Sequence, residues 1–96
     1  MSQTEFEWDA AKSNACLRHR GFDFAFALLV FSDPQHMLIK DQRWDYGEDR
    51  FQVMGLIEDR VYVVIYTHRS STIRIISARK ANQREGLIYE NNPRQS

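Results

Sequence analysis

The chain has 96 residues, enough for one hydrophobic core and therefore one domain. Its 43% hydrophobic and 27% charged content is that of an ordinary globular protein and excludes a low-complexity or disordered chain. A formal net charge of zero argues against a uniformly basic nucleic-acid binder, and the longest apolar run, residues 24–31, is far short of the ~20 residues needed to span a bilayer.

The distribution of charge says more than its sum. Residues 1–59 carry six Lys/Arg against eleven Asp/Glu, whereas residues 60–96 carry seven against two. Such asymmetry fits a basic working face on a neutral protein, and equally two halves that attract each other. The first residues, MSQTEFEWD, are acidic and polar, unlike a secretory signal or transit peptide. With a single cysteine, Cys16, no internal disulfide can form, and a reducing cytoplasm is the expected compartment. Cys16 itself reads as a small packed apolar residue of a helix.

In chain order, Phe6-Glu7-Trp8 is a short extended lead-in, and Asp9 is a good N-cap for a helix from Ala10 to about Arg20, stopped by Gly21. Arg18, His19 and Arg20 fall in its last turn, where cations suit the helix dipole. Asp23 caps a second helix, FAFALLVF, which is apolar almost all round and should be buried; Ser32-Asp33-Pro34 ends it. From His36 the period changes to that of strands: HMLIK, then a polar loop at 41–49, then DRFQVMGLI at 49–57. Residues 61–68 form the best-defined strand, and Arg69-Ser70-Ser71 turns the chain into a strand at 72–78. Short turns imply antiparallel hairpins. Asn82-Gln-Arg-Glu85 fits a capping box opening a last helix, and the ends at 1–4 and 91–96 are expected to fray. The predicted architecture is α+β: two N-terminal helices, a four-stranded antiparallel sheet and a C-terminal helix.

Arginines stand at 69, 74, 79 and 84 in this last third. A three-residue turn at 69–71 would put Tyr66 opposite Arg74, so that Tyr62, Tyr66, His68 and Arg74 share a face. A two-residue turn at 70–71 would put Arg74 beside Thr67 and Arg69 instead. The first separates polar from apolar residues better and is the expected register. In either, Arg74 and Arg79 point to opposite faces unless a bulge intervenes. The sequence has no zinc-type Cys/His spacing, Walker loop, Gly-rich dinucleotide turn or Gly-x-Ser-x-Gly elbow, so no metal or cofactor is expected. Arginine beside tyrosine and histidine on a sheet suits phosphates and stacked bases. A metal-free ribonuclease needs little more, because the RNA 2′-OH is itself the nucleophile and guanidinium groups can hold the developing charge. The competing readings are a non-catalytic RNA- or ribosome-binding module and a structural subunit of a protein complex.

FEWDAAK at the start, the restart at 21–23, FSDP at 31–34, EDRF at 48–51, VVIYTHR at 63–69 and IRIISARKANQRE at 73–85 occur in this order. Over roughly residues 5–90 the chain resembles the BrnT-type toxins, small ribonucleases of bacterial toxin–antitoxin systems. The resemblance implies a RelE-like fold, RNA cleavage that arrests translation, on free or ribosome-bound message, and neutralisation by a BrnA-type antitoxin. That antitoxin would be a ribbon-helix-helix protein through which alone the complex meets operator DNA. It also implies catalytic roles for Arg69, Arg74 and Arg79, with Glu85 and Tyr89 beside them, and RNA contacts from Arg50; Tyr66, His68 and Lys80 are further expected RNA contacts. Three positions depart from the family pattern. Ala10 replaces a proline, His19-Arg20-Gly21 replaces Lys-His-Gly and so shifts the histidine by ~100° around the helix, and Arg69-Ser70-Ser71 occupies a turn where glycine or an acidic residue is common.

Overall fold

A computed structural model describes residues 4–41 and 47–93. Most of the expected loop at 41–49, and most of the ends expected to fray, lie outside the described residues.

The first helix, α1 (Ala10–Arg20), starts and stops where its caps dictate. Asp9 Oδ1 accepts the Ala11 and Lys12 N–H groups at 2.8 and 3.2 Å, and Gly21, at φ 85°, donates its N–H to Leu17 O at 3.1 Å. The left-handed conformation at that position is one that only glycine adopts without cost. Asp23 caps α2 (Phe24–Ala27) by accepting the Phe26 N–H at 2.9 Å, and buried Ser13 ties the two helices together by accepting the Phe24 N–H at 3.0 Å.

The expected second helix is shorter than its apolar run. After one α-turn the chain tightens into a 3-10 segment, Leu28–Ser32. This segment lies directly on the sheet: a Cβ built on Gly55 would sit 2.7 Å from Val30 O and 2.8 Å from Val30 Cβ. Close approach of backbone to strand therefore replaces the side-chain layer of an ordinary helix–sheet contact.

Among the described residues the sheet has five strands, not four, and it is mixed. Its strands are β1 (Glu5–Trp8), β2 (Met37–Asp41), β3 (Arg50–Ile57), β4 (Arg60–Arg69) and β5 (Thr72–Lys80), in the spatial order β1-β5-β4-β3-β2. The lead-in at the N-terminus is the fifth strand: β1 pairs parallel with β5, Glu5 opposite Thr72 and Glu7 opposite Arg74, while all other pairs are antiparallel. Four residues with a partner far along the chain leave little local trace, although Glu5-Phe6-Glu7-Trp8 does alternate polar and apolar as a strand should.

Among the described residues two cores follow from this sheet. On one face, α1, α2 and the 3-10 segment cover Val53, Tyr62, Val64, Tyr66, Ile75 and Ala78. On the other, α3 (Gln83–Asn91) covers Met54, Val61 and Val63, contributing Tyr89. The expected capping box opens α3: Asn82 Oδ1 accepts the Glu85 N–H at 2.8 Å, and Glu85 Oε1 accepts the Asn82 N–H at 3.0 Å. Among the described residues no helix is long and apolar enough to cross a membrane.

Candidate functional site

The hairpin that carries the arginines takes the two-residue turn. Arg69 lies opposite Thr72, Thr67 opposite Arg74 and Tyr66 opposite Ile75, with Ser70 left-handed at φ 56°. The expected pairing of Tyr66 with Arg74 is thus off by one residue, and that slip moves every side chain of one strand to the other face. Arg74 therefore stands beside Thr67 on the face that α3 partly covers.

A second feature then brings Arg79 to the same face. The register shifts between Ile65 and Tyr66: Tyr66 lies opposite Ile75 but Ile65 opposite Ser77, so Ile76 is an extra residue in β5. Such a bulge reverses the parity of everything beyond it. Arg79 falls opposite Val63, and Val63, Ile65 and Thr67 alternate along one side of β4. Arg74 and Arg79 consequently share a face, roughly 13 Å apart along the strand, the four-residue spacing of Thr67 and Val63 opposite them.

Alternation adds Arg69 from β4 and Arg50 from β3 to this face, because Gln52 lies opposite Ile65 and Arg69 two residues beyond Thr67. Among the described residues, α3 packs on the end of the face at Val61 and Val63, and Gln52, Thr67 and Arg74 lie toward the other end. Buried Thr67 donates its hydroxyl to Asp49 O at 2.5 Å, which fixes the approach to β3.

Each arginine is held by a carboxylate. Arg74 Nη1 donates to Glu7 Oε2 of β1 at 2.8 Å. Arg79 makes a two-pronged contact with Glu85, Nη1 to Oε1 at 2.7 Å and Nη2 to Oε2 at 2.8 Å. The Glu85 hydrogen bond, against the opposing effect of burial, raises the Arg79 pKa, so this cation is permanent. Glu48 lies 3.6 Å from Arg69 and 3.8 Å from Arg50. The result is a row of guanidinium groups oriented by carboxylates.

The remaining expected site residues are elsewhere. Tyr66 is 4% exposed on the opposite face, edge-on to Phe31 and stacked on Phe51, and its burial raises the pKa of its phenol. His68 packs edge-on against Phe51 and Tyr66 on that same face, exposed to solvent. Lys80 is opposite Tyr62 and lines a cleft of about 400 Å³ with Leu17, Arg20 and Phe26. All three are separated from the arginines by the sheet. Tyr89 is on the arginine side but is 4% exposed, and its hydroxyl donates to Asp33 Oδ2. It joins α3 to the segment before β2. Burial alone would raise the Asp33 pKa, yet the bonds from Tyr89, Leu56 N–H and Gln35 N–H, with the charge of His36, bring it below the ordinary value.

Sequence reasoning missed Glu7 and Glu48. Glu7 had a signal in the alternation of β1, but its partner is on the last strand. Glu48 sits among polar residues whose folding no periodicity reveals.

A family model described as ribonuclease toxin, BrnT, of type II toxin–antitoxin system matches residues 8–85. No curated protein matches the chain. The match spans most of the chain, including β3, β4, β5 and Arg50, Arg69, Arg74, Arg79 and Glu85. The chain belongs to the BrnT family, the ribonuclease toxins of type II toxin–antitoxin systems.

Proposed function

We propose that this toxin cleaves RNA without a metal ion on the arginine face of its sheet and thereby inhibits translation in the cytoplasm. The observation that carries the reading is the placement of Arg74 and Arg79 on one face by the Ile76 bulge, with Arg50 and Arg69 beside them. Attack of the 2′-OH on the adjacent phosphorus places extra negative charge on the non-bridging oxygens. Guanidinium groups already oriented by carboxylates can accept that charge without reorganising. Arg74 and Arg79 are the phosphate and transition-state ligands, Arg69 and Arg50 hold neighbouring phosphates, and Glu85 orients Arg79. The products are a 2′,3′-cyclic phosphate and a 5′-hydroxyl.

The family's type II character implies an antitoxin partner. We assign that partner to the BrnA type, a ribbon-helix-helix protein whose complex with the toxin binds the operator. The test is cleavage of RNA by antitoxin-free protein in excess EDTA. Cleavage that persists, and that falls by about 10²–10³-fold in Arg74→Ala, supports the reading. RNA that is bound but left intact supports a binding module instead.

A further inference from the structure

We infer that Glu7 is the general base of the cleavage reaction, an assignment that rests on reading the arginine face as the cleavage site. The reaction needs a group that removes the 2′-OH proton next to the phosphate held by the arginines. The carboxylates and the tyrosine on this face differ in how committed they are. Both oxygens of Glu85 are taken by Arg79, one of them also by the Asn82 N–H, in a side chain only 18% exposed. Tyr89 is buried and its hydroxyl donates to Asp33. Glu48 stands before β3 and is shared between Arg69 and Arg50.

Glu7 differs from all of these. It sits on a regular strand, its side chain is 43% exposed, and Arg74 engages it at Oε2. Arginine has five N–H donors, so the same guanidinium can hold Glu7 with one nitrogen and a phosphate with the others. That places a carboxylate one guanidinium width from the phosphate, where the 2′-OH of the preceding ribose also lies. An ion pair this exposed adds little to stability. The ladder of β1 with β5, and Phe6 and Trp8 packed on the opposite face, already hold the strand.

The step balances without a cofactor. The 2′-OH gives its proton to Glu7 as the 2′-oxygen–phosphorus bond forms. The phosphorus–5′-oxygen bond breaks with its electron pair on the 5′-oxygen, which takes a proton from water. The hydroxide so formed recovers the proton from Glu7.

The experiment compares wild type, Glu7→Gln and Glu7→Ala on a short RNA, with a 2′-O-methyl analogue as the binding probe. Glu7→Gln keeps the size of the side chain and an oxygen for Arg74, so matching melting curves are expected. The expected result is cleavage about 10²–10⁴-fold slower with analogue binding within about threefold of wild type. The fall in rate toward acid pH should vanish in Glu7→Gln, and added formate should restore part of the Glu7→Ala rate. A residue that merely positions Arg74 would leave the acid limb intact. Glu7→Gln cleaving within about threefold of wild type, or a slow variant that retains the acid limb, overturns the assignment alone. Wild type that leaves RNA intact overturns the ribonuclease reading, and Glu7's role with it.

Discussion

Arg79 and Glu85 are joined by two parallel hydrogen bonds of 2.7 and 2.8 Å, and Glu85 also closes the capping box that starts α3. One carboxylate thus sets both where the helix begins and how the guanidinium points. Glu85→Ala should therefore lower stability by about 1–2 kcal/mol through the lost cap and also slow cleavage. Asn82→Ala should cost about 1 kcal/mol through the cap while leaving the Arg79 fork in place. Urea titrations alongside RNA cleavage check the pair: loss of stability in both but loss of rate in Glu85→Ala only is the expected pattern.

Tyr89 and Asp33 are expected to govern stability in acid. The folded pKa of Asp33 lies below its unfolded value, near ~3.9 for a free aspartate. The linked stabilisation is therefore fully present above the unfolded pKa and lost as pH falls through the folded one. Tyr89→Phe removes one of the bonds that depress it and should lower stability by about 1.5–3 kcal/mol at neutral pH, as for a hydrogen bond to a charged group. The difference between variant and wild type should shrink as pH falls below the unfolded value. Thermal melts across pH would show this; a constant difference down to pH 2 would contradict it.

Gly55 should tolerate no side chain. A Cβ there meets Val30 backbone at 2.7 Å, and backbone cannot swing aside as a long side chain can. Gly55→Ala is expected to destabilise by about 1–3 kcal/mol, the usual cost of overpacking. A denaturant midpoint equal to wild type would show that the 3-10 segment lifts off the sheet easily.

Much of this fold could be read locally. Asp9, Asp23 and the Asn82/Glu85 box mark their helix starts correctly, because capping is an interaction over three residues. The strand at 61–68 declares itself by its β-branched and aromatic residues and is seen as β4 (Arg60–Arg69). What escaped were non-local facts: the pairing of β1 with β5, and the register of the arginine hairpin. The bulge nevertheless left a trace. Ile75 and Ile76 are adjacent apolar residues in a strand that otherwise alternates, which is how an extra residue looks in one dimension. Choosing the register by separation of polar from apolar residues failed because this sheet buries residues on both faces. Tyr66 is core on one side, and Val63 and Thr67 are core on the other.

We propose that the face carrying Arg74 and Arg79 cleaves RNA. The most direct measurement of this is the single-turnover rate of RNA cleavage by antitoxin-free wild type, Arg74→Ala and Arg18→Ala. Arg18 is an exposed arginine of α1, on the helical side of the sheet. The expected result is a loss of about 10²–10³-fold for Arg74→Ala and less than about threefold for Arg18→Ala. Equal rates for Arg74→Ala and wild type would contradict it.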